Sequence, residues 1–231
     1  MLSQSVASAI RDAISAGDYQ PGQQLSEVKA AERFECSRNT LREAFTELTA
    51  ERLVERIPNR GVFIATPDTD YVKDLYLARM ALEHAGVLWG DFPAADRLIE
   101  LAASARRFAE SGDAQAVSSI NQRFHRALVA SLGSETLDEQ MSSLLARMRL
   151  TFLLALPHLP DIHNEHIENN VRLATLIAAG QREEAATVSR DSLLKAYNSL
   201  RFVLEALTLR NLVFQVPSVS HQHLSWLMRN R

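Results

Sequence analysis

The sequence holds a single cysteine, Cys36, among 231 residues. No disulfide can therefore staple the chain to itself, and the reading is of a reducing, cytoplasmic compartment. There is no apolar run of eighteen residues and no charged-then-apolar leader, which leaves no candidate membrane span or secretion signal. No internal repeat or low-complexity stretch appears. Positive charge is not in excess either: 25 Lys and Arg stand against 28 Asp and Glu, a net charge of −3 with an isoelectric point near 6.2. That balance excludes a protein that holds a polyanion by bulk charge alone. What is present is 46% hydrophobic and 23% charged, the composition of an ordinary globular chain long enough for one large or two modest domains.

The most informative stretch is Ser37 to Glu51. Leu41, Ala44, Phe45 and Leu48 recur at i, i+3, i+4 and i+7, which makes one helical stripe for a core. Arg38, Asn39 and Arg42 fall beside or opposite that stripe near its N-terminal end, and Ser37 stands where an N-cap belongs. Two arginines and an asparagine at such an end suit a major groove. Ser26 to Phe34 forms a shorter helix, with Val28, Ala31 and Phe34 as its expected inward residues, joined through Glu35 and Cys36. Leu53 to Arg56 and Val62 to Ala65 are β-prone runs around Ile57-Pro-Asn-Arg-Gly61, whose proline and glycine suit a turn. An earlier helix, Ser3 to Ala16, carries Val6, Ala9, Ile10, Ala13 and Ile14 inward and ends at Gly17 and Pro21-Gly22.

This segment resembles the winged helix-turn-helix of the GntR family of bacterial transcriptional regulators. The residues that carry the resemblance are Pro21-Gly22, Leu25-Ser26-Glu27, Ser37-Arg38, Arg42-Glu43-Ala44 and Asn59-Arg60-Gly61. It implies a DNA-binding domain over residues 1–66, with Arg38, Asn39, Thr40, Arg42, Arg60 and Gly61 as contact residues. Residues 1–66 contain eight Lys or Arg against nine Asp or Glu, so attraction to phosphate rests on placement. Arg38, Arg42 and Arg60 sit on the helix end and wing tip, while Glu47, Glu51 and Glu55 lie further back. The expected affinity is moderate, salt-dependent and reliant on two copies of the module.

From Tyr71 onward the periodicity is helical throughout. Helices are expected at about 70–90, 94–111, 113–132, 136–156, 162–179 and 182–207, with Gly112, Gly133, Pro157, Pro160 and Gly180 between them. The fold class is thus mainly α: a winged helix-turn-helix followed by an all-α bundle of about six helices over 70–207. A tail, 208–231, bears Val213, Phe214, Leu224, Trp226 and Leu227, a set suited to packing on its own or a partner subunit.

Several polar residues interrupt the apolar faces of these helices. Arg79 and Glu83 lie within the stripe of Val72, Leu75, Leu82 and Gly86, and burying an unpaired guanidinium costs several kcal/mol. Either Glu83 neutralises it at i+4 or an anionic ligand does. Asn121 and His125 edge the face of Val117, Ile120, Phe124 and Leu128. His166 and Asn170 share the face of Leu173 and Ile177, and Ser192 sits among Ala185, Val188 and Ala196. Glu83 aside, six such residues on four helices point to a polar chamber.

The second half resembles the FCD effector domain of the FadR-like branch of the same family, on Arg79-x-x-x-Glu83, Phe124-His125 and the run from Asn170 through Leu173, Leu176 and Ile177 to Gly180. The resemblance implies a divalent metal on one aspartate and three histidines, at the positions of Asn121, His125, Asn170 and Ser192. Only His125 matches that set, so no metal and no cofactor is expected, although His166 stands close enough to compensate in part. Arg79, Asn121, His125, His166, Asn170 and Ser192 remain as a hydrogen-bonding effector site with one cation, suited to a small organic acid.

The sequence is thus read as a homodimeric transcriptional repressor that binds double-stranded operator DNA and answers to such an acid. Two rival readings are an acyl-CoA-responsive regulator, which needs a long apolar tunnel, and an enzyme using His125 with Asn121 or His166. No nucleophile or paired carboxylate supports the enzyme. Cys36 reads as a small buried hydrophobe, with a redox switch as the alternative. His158, His163 and His166, spaced by five and three, make at most a weak metal cluster.

Overall fold

The computed structural model describes residues 2–159 and 162–215, without the side chains of 2, 163–165 and 210–215. His163 and the expected packing of Val213, Phe214, Leu224, Trp226 and Leu227 therefore lie outside the described residues. The N-terminal unit is α1 (Leu2–Ala16), β1 (Gln24–Leu25), α2 (Glu27–Arg33), α3 (Arg38–Ala50), β2 (Val54–Ile57) and β3 (Gly61–Ile64). The three strands form one antiparallel sheet in the order β1-β3-β2, with Gln24 opposite Phe63 and Glu55 opposite Phe63 from the other side. Strand β1 has no counterpart in the sequence reading.

Helix α3 forms as its stripe requires. Leu41, Ala44, Phe45 and Leu48 are fully buried, and the Ser37 hydroxyl accepts from the Thr40 amide at 3.1 Å, satisfying an orphan donor of the first turn. Helix α2 differs from expectation. Ala30 is its buried residue and Val28 is exposed, because a helix that begins at Glu27 turns Ala30, Ala31 and Phe34 together onto the core. Helix α1 packs on both α3 and α8. It ends in paired bonds from Gly17 N to the Ile14 carbonyl and from Asp18 N to the Ala13 carbonyl, the Schellman arrangement that needs a left-handed residue. Gly17 supplies it at φ +89, and a Cβ there would also meet the Arg149 guanidinium at 2.4 Å.

The second unit is helical: α4 (Thr69–Trp89), α5 (Ala95–Ala103), α6 (Ala105–Glu110), α7 (Ala114–Ala130), α8 (Glu135–Ala155), α9 (Ile162–Ala178) and α10 (Arg182–Gln215). Two expectations are corrected. The helix at 94–111 breaks at Ser104, whose hydroxyl bonds back to the Leu101 carbonyl at 2.7 Å, so the bundle has one piece more than six. The last helix runs past 207 to Gln215 and takes in the start of the supposed tail. Helices α4 and α7 approach closely at Gly86, where a Cβ would fall 2.1 Å from the Leu128 carbonyl oxygen.

The two units are not strung apart. One apolar cluster runs from Val6, Ile10 and Leu53 in the head to Tyr71, Leu75, Leu145 and Leu150 in the bundle. Around it, Arg147 donates to Asp74 at 2.8 Å and to the Tyr71 carbonyl, while Arg52 reaches Asp74 from the head. Both guanidiniums lie over the Tyr71 ring. Arg149 is buried, with no carboxylate paired to it among the described residues, and donates to the Ala16 carbonyl at 3.4 Å. A cation at the C-terminus of α1 is stabilised by the carbonyls exposed there.

Candidate functional site

Two surfaces carry polar chemistry. On the head, Arg38 and Asn39 are exposed on the first turn of α3, with the Asn39 amide donating to Glu43 at 3.2 Å. Thr40 belongs to the cap, its hydroxyl 2.8 Å from that of Ser37. Arg42 is exposed but oriented, its Nε and Nη2 gripping the Glu27 carboxylate at 3.1 and 2.9 Å. Those hydrogen bonds hold the Glu27 carboxyl below its ordinary range. At the wing, Asn59 takes φ +60, Gly61 opens β3, and Arg60 is exposed with its guanidinium over Phe63. The Gln24 amide holds the Arg60 carbonyl at 2.8 Å, so the short β1 fixes the wing tip.

The sequence reading missed Arg56. Its guanidinium donates to the Arg42 carbonyl at 2.8 Å and to Thr46 at 3.2 Å, tying the wing to α3. A cation in a β-prone run gives no sign of such a reach. Further along α3, Arg11 neutralises Glu51 and Glu47, so those acids are paired with α1 and set back from Arg38 and Arg42. Cys36 is half-buried against the core.

The second surface is internal. Arg79 from α4, Asn121 and His125 from α7, His166 and Asn170 from α9 and Ser192 from α10 line one small cavity. All six residues expected from sequence meet there. Tyr76, Asn169 and Ser189 join them unforeseen, and Phe152 of α8 forms part of the wall. Tyr76 reads as an apolar residue in sequence, yet its position three before Arg79 puts it on the same face. The gaps between side chains admit little more than a water, so a ligand must part them. Arg149 does not line the cavity.

Electrostatics here centre on Glu83, which is 0% exposed, and Arg79, 2% exposed. Arg79 Nε donates to Glu83 at 2.7 Å, and His125 Nδ1 lies 2.8 Å from the other carboxylate oxygen. Burial alone would raise the Glu83 carboxyl. The Arg79 charge and the hydrogen bonds from Arg79 and His125 outweigh it and keep the group below its ordinary value. Burial pushes the His125 imidazole down, Glu83 pulls against that and Arg79 adds to it, with a net depression. His125 is therefore neutral, Nδ1 carries the proton donated to Glu83, and Nε2 is left as an acceptor.

This pair makes stability depend on pH with a definite sign. Unfolded chains protonate His125 near its ordinary value of 6.5 while folded chains resist, so stability is full above about pH 6.5 and falls below it. The Glu83 contribution is lost separately, below its ordinary 4.5. Denaturant unfolding between pH 5 and 8 should show the first decline in the native chain and a flatter profile in His125→Gln.

Two buried donors of this lining are unsatisfied among the described residues. Arg79 Nη2 and the Tyr76 hydroxyl find no hydrogen-bond partner among the described residues, although the guanidinium lies 5.2 Å from the Tyr76 ring centre. Leaving such atoms unpaired is costly, and converging donors of this kind are a common sign of a ligand that accepts from them.

The implied metal does not fit this donor set. Asn170 donates to Asn121 at 2.7 Å, so that amide oxygen is occupied, Ser192 offers only a hydroxyl, and the nearby carboxylate of Glu83 is engaged by Arg79 and His125. No group of three or more His, Cys, Asp or Glu suited to a metal occurs among the described residues. His158 is exposed in the turn after α8, apart from any such group.

Comparison with known proteins gives the same division. Residues 2–64 match the family described as bacterial regulatory proteins, gntR family, and residues 74–194 match the FCD domain. The Nta operon transcriptional regulator of Aminobacter aminovorans is 28% identical over 174 residues, 73% of this chain and 80% of its own length. The HTH-type transcriptional repressor GlaR of Escherichia coli K12 is 27% identical over 205 residues, 80% of this chain and 89% of its own. Among solved structures, a putative transcriptional regulator GntR from Rhodococcus sp. RHA1 superposes with a TM-score of 0.73 at 32% identity, covering 86% of this chain and 96% of that one. Among the described residues no helix is long and apolar enough to cross a membrane.

Proposed function

The chain belongs to the gntR family of bacterial regulatory proteins and carries an FCD domain, and from that premise we propose a homodimeric cytoplasmic repressor that releases operator DNA when a small organic acid enters the Arg79 cavity. The observation that carries the effector reading is the pair of buried, unpartnered donors, Arg79 Nη2 and Tyr76 Oη. An anionic group accepting from both satisfies them together. Side chains from five helices that leave only water-sized gaps suit a compact metabolite, for which little must move, rather than a CoA thioester. Enzyme chemistry is not favoured, since of the two imidazoles in the lining that of His125 is held on the Glu83 carboxylate rather than on a hydroxyl.

The coupling runs through α8. Phe152 walls the cavity and Arg149, three residues earlier, holds the C-terminus of α1. Helix α1 in turn packs against α3, so a ligand that displaces Phe152 shifts the helix supporting the reading head. Densely packed interfaces of this kind pass such shifts on rather than absorb them.

Dimerisation is supported by α10, which leaves Leu194, Phe202 and Leu209 exposed, Phe202 at 72%. Residues eight and seven apart form one stripe along the helix, and two heads on one duplex gain avidity that a single head lacks. Phe202→Glu should yield a monomer in light scattering, with operator affinity lower by about 10²-fold. A dimer of undiminished affinity would remove α10 from the interface. The functional reading as a whole is tested by anisotropy of a duplex selected by the protein from a random pool, titrated with carboxylic acids.

A further inference from the structure

Beside the Arg79 cavity lies a second one, whose gaps between side chains admit little more than a water, so that here too a ligand must part the lining. The two share a wall of three residues, Asn121, His166 and Asn170. Past that wall the lining is wholly apolar: Ala102, Ala105, Val117, Ile120, Phe124 and Ile167. Within that wall Asn170 Nδ2 donates to Asn121 Oδ1 at 2.7 Å.

The far wall is where the helix expected at 94–111 breaks. Ala102 and Ala105 flank Ser104, the break between α5 and α6, so this wall is made of two small side chains at a discontinuity rather than a continuous helix. Small residues leave volume unfilled, and a filled core is more stable than a void because its lining atoms then have neighbours on every side.

We propose that the second cavity is a subsite for the hydrocarbon portion of the effector, so that the acid recognised is a monocarboxylate with a short alkyl chain. The proposal rests on the effector reading above, in which Arg79 and Tyr76 take the carboxylate. The chain passes between Asn121 and Asn170, whose amides part and then bond the carboxylate or each other around it. Beyond them the chain meets only carbon. A second carboxylate at the far end would enter a chamber whose lining past the shared wall offers no charge and no donor. A dicarboxylate of equal length is therefore rejected.

The test is isothermal titration of the full-length protein with acetate, butyrate, hexanoate and octanoate, and with adipate as the six-carbon dicarboxylate. Affinity should rise about fourfold for each buried methylene until the cavity is full, and adipate should bind at least about a hundredfold more weakly than hexanoate. Ile120→Ala should move the optimum to a longer acid and Ala102→Val to a shorter one. Either variant suffices if the other does not fold. Equal affinity for all the monocarboxylates, unmoved by both variants, overturns the alkyl subsite and leaves the carboxylate reading standing. Preference for adipate over hexanoate overturns it likewise. Failure of every acid to bind overturns the effector reading as well.

Discussion

Replacing Arg79 by alanine should destabilise the helical unit by about 3–5 kcal/mol, because it strands a carboxylate that has no other full cation beside it. Glu83 is wholly buried and receives hydrogen bonds from Arg79 Nε and His125 Nδ1, and His125 is neutral. Removing the guanidinium leaves the carboxylate either ionised without compensation or, as burial then raises its pKa, protonated with the ion pair lost, and both outcomes subtract from folding. The alanine variant thus reports on structure more than on ligand. Arg79→Lys separates the two roles. An ammonium keeps a positive charge near Glu83 but cannot offer a second, parallel donor, so the folded protein should survive while the acid needed for operator release rises roughly tenfold to a hundredfold, the worth of one charge-assisted hydrogen bond. Glu83→Gln is the reciprocal probe. It leaves Arg79 buried without an anion, so the unliganded variant should melt lower than the native protein and gain more from a bound acid. Equal thermal shifts in the two would show that the carboxylate of the ligand does not approach Arg79.

The second large effect concerns the head. Substituting Arg38, Arg42 and Arg60 together by alanine should weaken operator binding by roughly 10³-fold or more and reduce the salt dependence by about one unit of slope for each phosphate no longer neutralised. All three are exposed on the first turns of α3 and at the wing tip, and the acids behind them are already paired, Glu47 and Glu51 with Arg11. With eight basic and nine acidic residues in 1–66, no diffuse charge remains to substitute for these three. Arg42→Ala alone should cost about 1–3 kcal/mol if it reads a base. It starts from the Glu27 carboxylate, which presents it in one orientation rather than leaving it to sweep the solvent. Unchanged affinity and slope in the triple variant would contradict the assignment of this face.

How far the sequence can be read depends on the range of each interaction. The recognition helix is legible because its stripe, its cap and its cations are all local: Ser37, Leu41, Ala44, Phe45 and Leu48 stand within one element. The polar chamber is legible for a related reason, since a charge such as Arg79 in an apolar stripe must find a partner somewhere, and Glu83 stands one turn away. The bond from His125 to Glu83 is not, because it spans 42 residues and nothing in the α7 pattern, which does mark His125 as a member of the chamber, names its acceptor. The two-residue β1 is too short to show a period of two. The break at Ser104 carries no glycine or proline. It arises from a hydroxyl bonding back to Leu101, a competition with the helix ladder that serine can win or lose. Val28 faces solvent against expectation because a seven-residue helix offers too few turns to fix which face is inward. Tyr76 and Ser189 escape a reading from sequence because each is ordinary in its own stripe and acquires meaning only when five helices bring it to one cavity.

The most direct measurement titrates operator duplex with native protein and with Arg79→Lys, each at increasing concentrations of the carboxylic acid that raises the native melting temperature most. The expected result is a rise of at least about tenfold in the native Kd at saturating acid, the scale of an ordinary allosteric coupling, with the variant binding DNA equally well but releasing it only at much higher acid. If the acid binds the native protein yet leaves its Kd for DNA unchanged, or if the variant releases DNA at the same acid concentration, the cavity around Arg79 does not control the reading heads.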